Sequence, residues 1–323
     1  MPLIVQELNT RNCFVPRPGF CFVEADIAGL EGVTLAQCEI WTINDRTKAD
    51  QINAGIDLLS VTGAAIAGEP YATFMPKAKG VGRPKDPEAA HIRNLSKVPV
   101  YGKPGGMANR TLVGFARTSY GIRLGQTASN PWPTREQQLA EADRIGGFWE
   151  AANPNDVEYL NFIRSCRRGD RYEVIIGHPS VGSVVRRGKA TYCAACNSLF
   201  QGLGALAAGE ITWEVVKACY GHSAAGTQSP LYGCRLVMHA YDSWLLEVPL
   251  GRQTAAGHEL VRIIKMAARR KIPDVTVKAE PVAMAVWDKA AETVIANDTG
   301  ELLIWGTPEC QEYLAESKPR QAA

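Results

Sequence analysis

The stretch CRLVMHAYDSWLLEVP, residues 234–249, decides the fold. Two apolar runs, Leu236-Val237-Met238 and Trp244-Leu245-Leu246, flank one carboxylate, Asp242. The pattern predicts a hairpin of two buried strands with an acid at its tip. The ordinary explanation of a turn aspartate is local, since Asp tolerates turn backbone and bonds it. The rest of the chain decides whether that explanation suffices.

Working outward, a helix is expected over 253–270, a strand at Val275 to Ala279, and two short strands around the turn Asn297-Asp298-Thr299-Gly300. Before the hairpin, a long helix is expected over 190–220, and strands at Tyr172 to Ile176 and Val181 to Val185. At the other end, residues 21–26 (CFVEAD) read as a strand running into Asp26. Helices follow at Thr34 to Ile43 and Asp50 to Ala67, then a Gly/Pro/Lys-rich loop over 75–87. Asp86 is a good N-cap with Pro87 at the first helical position. Further helices are expected at Asn109 to Tyr120, closed by Gly121, and over 134–151 and 155–167, split at Asn153-Pro154. Strands thus come from both ends of the chain with helices between, an α+β plan and not alternating βα units.

The 323 residues allow two domains, and the 46% hydrophobic content allows a large core. A net charge of +2 neither requires nor excludes a nucleic-acid partner. The N-terminal MPLIVQELNTRNCF lacks the basic and apolar regions of a signal peptide. The uncharged run Ala190 to Gly209 raises a membrane question, but it carries Asn197, Ser198 and Gln201, so a buried helix is the better reading. Nine cysteines in a chain with no export signal fit free thiols in a reducing compartment. Cys193 and Cys196 form a lone CxxC with no second pair; two small core residues on a helix explain it better than zinc.

Four short constellations stand out. In VEADIAGLEGVTLAQ, Asp26 ends a strand and Glu31 lies near a helix entry. In RNLSKVPVYGKPGGM, Arg93, Lys97 and Tyr101 are spaced i, i+4, i+8 and share a helix face. A solvated basic face is the usual explanation; a phosphate-binding face with a ring for a base or sugar is the functional one. Gly105-Gly106 behind it permits a sharp turn or close approach. In ATYCAACNSLFQGL, Asn197 and Gln201 are i, i+4 on an apolar helix, where buried amides need backbone groups or base edges as partners. The hairpin aspartate is the fourth. Together, two strand-end carboxylates on one sheet can hold a pair of divalent metals, and a helix with Arg, Lys and a ring can hold a nucleoside triphosphate.

This order and spacing resemble family A DNA polymerases (the DNA polymerase I type), in particular the phage branch. CFVPRPGFCFVEADIAGLEGVTLAQ resembles motif A, D-x4-E; RNLSKVPVYGKPGGM resembles motif B, R-x3-K-x3-[FY]-G followed by P-G-G. AACNSLFQGL resembles the N-x3-Q-G helix, MHAYDSWLLEVP resembles motif C, and PDVTVKAEPVAMAVW resembles the C-terminal strand. The resemblance implies a palm, an antiparallel sheet with packed helices, from residues 1–45 and 186–323, with an inserted helical fingers subdomain at 46–185. It implies Asp26 and Asp242 as catalytic metal ligands for two Mg²⁺ ions, with Mn²⁺ as an alternative. Glu31 would pack at the sugar 2′ position, Arg93 and Lys97 would bind the triphosphate, and Tyr101 would be the nucleotide-binding ring. Asn197 and Gln201 would contact primer-template DNA. The implied activity is template-directed DNA synthesis from deoxynucleoside triphosphates, in the cytoplasm, which is the bacterial host's if the gene is phage-borne.

The chain departs from that pattern in four places. The motif C triplet is Tyr241-Asp242-Ser243, so the usual His and Glu are replaced. Pro99 lies inside the motif B helix, where it removes a helical hydrogen bond and is expected to kink the segment carrying Tyr101. Cys193 stands where some relatives place an Arg. Motif A begins near residue 26, so thumb and exonuclease segments are expected to be absent and to come from a second chain. The alternative is a non-catalytic polymerase-like protein that binds nucleic acid or a replisome partner.

Overall fold

In the computed structural model, which describes residues 10–221 and 228–317, the chain packs as two compact units. The first comprises Met1–Leu30, Ala205–Arg270 and Val277–Ala323; the second comprises Glu31–Gly204 and Lys271–Thr276. Residues 1–9, part of the stretch read above for a leader, lie outside the described residues.

The first unit is built on β1 (Phe20–Ile27), β5 (Arg235–Ala240), β6 (Ser243–Pro249), β7 (Ala279–Met284) and β8 (Ile304–Trp305), in the sheet order β5-β6-β1-β7-β8. Strand β1 is antiparallel to β6 and β7, and β8 joins β7 in parallel. Cys21, Phe22, Val23, Ala25 and Ile27 of β1 are buried, as suits a central strand. Helix α10 (Gln253–Arg269) packs on β1 and β7. Gly257 makes the close approach possible: a Cβ there would lie 2.9 Å from the Pro281 Cβ. Trp244 of β6 is buried and donates its indole N–H to Thr212 of α9 (Tyr192–Tyr220) at 2.9 Å, so α9 covers that same side.

The 234–249 hairpin forms, but only one of its strands is buried. β6 is enclosed from Trp244 to Val248, whereas β5 is an edge strand. The β5–β6 register shifts between Leu236 and Met238, so Val237 is left over as a bulge residue and is exposed. Buried Glu247 accepts from the Arg17 backbone N–H and from Arg17 Nε, both at 2.7 Å, which satisfies an otherwise costly internal charge.

The second unit is mostly helical: α1 (Leu30–Ile43), α2 (Thr47–Asn53), α3 (Leu58–Ala67), α4 (Tyr71–Lys79), α5 (Pro87–Gly102), α6 (Asn109–Tyr120), α7 (Arg135–Ala152) and α8 (Pro154–Ser165). A three-stranded antiparallel sheet, β2 (Arg167–Arg168), β3 (Arg171–His178) and β4 (Ser183–Ala190), completes it with the start of α9. Caps act where the sequence places them. Asp86 accepts from the Ala89 N–H at 2.9 Å, and Thr134 with Gln137 forms a reciprocal capping box.

Several elements differ from expectation; the two short strands around the Asn297–Gly300 turn reduce to a single bridge between Ile295 and Leu302, and the strand expected from Val181 begins at Ser183. The helix over 50–67 is two helices, because Gly55 at φ +78 turns the chain between them. Residues 71–79, half read as loop, form α4 because Phe74 is buried against Gly63 on α3, where a Cβ would sit 2.7 Å from the ring. The strand expected at Val275 to Ala279 begins only at Ala279. Its first residues are held by side chains instead: Gln37 bonds Asp274 through both side chain and backbone, and the Asn53 Oδ1 accepts from the Thr276 N–H at 2.7 Å.

Candidate active site

The carboxylates of the first unit are set by strand register. Asp26 lies opposite Ser243 on β6 and opposite Glu280 on β7. Directly opposed residues in antiparallel strands project to one face, so Asp26, Ser243 and Glu280 share a face. Asp242 precedes Ser243 at the hairpin tip, and its carbonyl accepts the Ile27 N–H at 2.9 Å. The tip is tight: Tyr241 adopts φ +61. His239 steadies it, with its ring stacked on Trp244 at 5.0 Å and its Nε2 3.2 Å from the Tyr241 carbonyl, which can only accept. The structure thus brings Asp26 and the Asp242 turn together at one end of one sheet.

The face carrying Asp26 opens into a cavity of about 300 Å³ whose lining includes Glu24, Asp26, Glu280, Asp288, Arg11 and Lys289. Partial burial raises the Asp26 carboxyl above the usual carboxylate range; its own backbone hydrogen bond works against this, and the nearby Glu280 charge adds to it. Glu24 on the same face accepts from the Trp287 indole N–H at 3.1 Å. Among the described residues no three His, Cys, Asp or Glu side chains converge as a ready metal cage. Hard carboxylates at an open sheet end do fit Mg²⁺, which is commonly held by one or two carboxylates with water and substrate phosphates.

The remaining candidates lie in the second unit. Arg93, Lys97 and Tyr101 do share α5, which continues to Gly102 through Pro99. Arg93 is not an open cation. Its Nε and Nη2 donate to both oxygens of Asp57 at 2.7 and 2.9 Å. Burial disfavours the charged Asp57, but hydrogen bonds from Arg93 and Ser60 outweigh it and hold the carboxyl below its ordinary range. Lys97 is half-buried and forms no ion pair among the described residues. Glu31 and Tyr101 line one small cavity of about 30 Å³. Burial pushes the nearby Tyr120 hydroxyl up to about 12, with Tyr101 and Glu31 adding to the shift.

Asn197 donates to the carbonyls of Cys193 at 2.8 Å and Gly105 at 3.1 Å, the backbone role open to a helix amide. Gln201 is exposed, so it needs no buried partner. The Gly105-Gly106 pair is explained by α9: a Cβ on Gly105 would lie 2.8 Å from the Asn197 amide, and Gly106, at φ +80, would meet the Tyr192 ring at 3.0 Å. Cys193 is exposed, Cys196 is buried, and both are free thiols.

Other residues were not legible beforehand. Buried Lys48 on α2 lies between Glu39 of α1 and Asp156 of α8, while Asn155 donates to Glu39 at 2.7 Å. Burial pulls Lys48 down and pushes Glu39 up from their ordinary values. Nothing in the local pattern marks Lys48 as internal, since Glu39 lies on a different helix and Asp156 is remote in sequence. The small sheet exposes Arg167, Arg168, Arg171, Arg186, Arg187 and Lys189; Arg186 pairs with Glu173. The Val184-Val185 pair signals a strand but not that it stays exposed from Val184 to Lys189.

No helix among the described residues is long and apolar enough to cross a membrane. No protein-family model matches the chain, and no curated protein matches it. Among solved structures it is similar to the polymerase domain of Pol1 from M. smegmatis, in complex with DNA primer-template and dNTP, with a TM-score of 0.52 and 18% identity. The match covers 86% of this chain and 42% of that one, so the chain spans less than half the length of the polymerase it matches. With the five-stranded sheet and the helical insertion, this likeness gives the chain the α+β fold of a DNA polymerase palm and fingers.

Proposed function

We propose that this chain is the palm and fingers part of a family A DNA polymerase of phage type, performing template-directed DNA synthesis by nucleotidyl transfer. The observation that carries this is the register that sets Asp26 beside the Asp242 turn at one end of the sheet, in a polymerase fold. Asp26 and Asp242 would hold two Mg²⁺ ions, or Mn²⁺. Such ions, when bound, activate the primer 3′-hydroxyl and stabilise the leaving pyrophosphate.

This chain's own residues do the rest. In the first unit, the buried β6 and the bond from the Ile27 N–H to the Asp242 carbonyl hold the acidic tip against β1. In the second, Lys97 supplies positive charge for a triphosphate, and Tyr101 supplies a ring for the nucleotide. Arg93 serves the same phosphates once its bond to Asp57 is exchanged. Glu31, in one cavity wall with Tyr101, supports the reading that it restricts the sugar 2′ position. Asn197 orders the Gly105-Gly106 turn, and Gln201 is open to primer-template DNA. Exposed Arg168, Arg187 and Lys189 suit phosphate contacts. Thumb and exonuclease segments would act together with these two units, and the enzyme would work in the cytoplasm.

The test is gel-based extension of a labelled primer with Mg²⁺ or Mn²⁺. The chain alone is expected to extend poorly and to recover with its thumb-bearing partner. Asp242→Asn is expected to abolish the recovered activity, because an amide is an uncharged and poorer ligand for a hard cation. A partner that restores nothing at any metal concentration refutes the split enzyme. Ser243, in place of a motif C acid, favours the second reading, a non-catalytic nucleic-acid or replisome-binding protein, which would then bind DNA without extending it.

A further inference from the structure

Asp26 has two lateral neighbours in the sheet, and they are chemically unequal. On the β6 side stands Ser243, an uncharged hydroxyl. On the β7 side stands Glu280. Both oppose Asp26 directly in antiparallel pairs, so both project to the face that carries it. Both positions are therefore places from which charge can be added beside Asp26. Glu280 is exposed, and β7 holds its backbone in a six-residue pairing with β1 from Phe22 to Ile27. The cavity on this face carries four carboxylates, Glu24, Asp26, Glu280 and Asp288, against two cations, Arg11 and Lys289. Glu24 is engaged by Trp287, and Asp288 caps its own turn by accepting from the Ala290 N–H at 3.0 Å.

We infer that Glu280 supplies, from β7, the second acidic charge beside Asp26 that Ser243 does not supply from β6. This rests on the metal-dependent reading proposed above and deepens it. An Asp26–Asp242 pair carries two negative charges, which only balance one divalent ion. A site meant to concentrate two such ions near an anionic substrate needs more. Glu280 would meet that need through its field at Asp26, without joining a closed cage. It is a positioning residue, and its effect is on cation affinity.

The experiment is Mn²⁺ binding to the whole chain, read from loss of the free-ion paramagnetic resonance signal, with no nucleotide or DNA present. Glu280→Gln is expected to weaken Mn²⁺ binding about tenfold, the order expected for one charge lost within several ångströms of a divalent ion. Glu24→Gln, which can still accept from Trp287, is expected to change it less than about threefold by the same distance dependence. Ser243→Glu should raise affinity in the parent chain and restore it in the Glu280→Gln chain, an outcome that a merely structural Glu280 would not produce. Asp26→Asn separates the two levels. If Asp26→Asn weakens binding while Glu280→Gln and Ser243→Glu leave it unchanged, the inference about Glu280 is wrong and the polymerase site stands. If the parent chain shows no Mn²⁺ binding that depends on Asp26, the metal reading and this inference fall together.

Discussion

At the residue scale, Arg93 shows how a motif residue can be occupied. A cation expected to meet phosphate is bonded at both ends of its fork to Asp57. Bidentate pairs of this kind resist exchange with a single point charge but yield to another planar or polyvalent anion. Asp57→Asn is expected to cost about 1–3 kcal/mol at neutral pH, as for a hydrogen bond to a charged group. The pH dependence follows from the direction of the shift. A carboxyl held below its unfolded value stabilises the fold above the usual carboxylate range and loses that contribution as pH falls through the folded value. Urea denaturation across the acid range should therefore show a shallower decline for Asp57→Asn than for the parent. An identical slope would remove Asp57 from the acid response. Lys97, which forms no ion pair among the described residues, should be the better single probe of the triphosphate reading. Lys97→Ala is expected to weaken labelled-nucleotide binding about tenfold, the loss of one charge-assisted contact. Lys85→Ala in an exposed loop should change it less than about twofold by the same reasoning. Equal effects would make the α5 face an ordinary solvated one.

At the element scale, the turn after α5 is shaped by what lies behind it. Gly106 needs its positive φ and has no room for a Cβ beside Tyr192 and Cys196. Gly106→Ala should lower stability by about 1–3 kcal/mol through combined backbone strain and overpacking. Thermal melting measures it, and an unchanged midpoint would mean that α9 gives way easily. The β5–β6 hairpin is a second element set by its surroundings. Its apolar residues on β5 do not bury the strand, because it is the sheet edge and Val237 bulges out of register.

At the scale of the whole molecule, each unit has its own means of holding remote segments. In the second unit, Lys48 between Glu39 and Asp156 ties α1, α2 and α8 together. Lys48→Met should destabilise by about 3–5 kcal/mol, since it leaves buried carboxylates without their counter-charge. A small loss in urea denaturation would mean that the carboxylates simply take up protons. The exposed basic sheet belongs to this scale too. If Arg168, Arg187 and Lys189 contact phosphates, replacing one by Ala should reduce the slope of log affinity against log salt by about 0.7–0.9 for primer-template DNA. No change in slope would place those cations away from the nucleic acid.

The sequence by itself determined what depends on near neighbours. The Asp86-Pro87 start of α5, the Gly121 stop of α6, the Asn153-Pro154 split between α7 and α8 and the β5–β6 turn follow from local backbone chemistry and hydrophobic period. The spacing of Arg93, Lys97 and Tyr101 on one helix follows likewise. Tertiary structure decided what depends on segments far apart in the chain. That Asp26 stands beside the Asp242 turn is a register between strands more than two hundred residues apart, and Glu280 comes beside Asp26 only because β7 pairs with β1. The Arg93–Asp57 pair, the buried Lys48 and the capture of residues 274–276 by Gln37 and Asn53 are of the same kind. A side chain's local pattern fixes which way it points along its own helix or strand. Which charge it meets is fixed by the packing that brings another part of the chain against it.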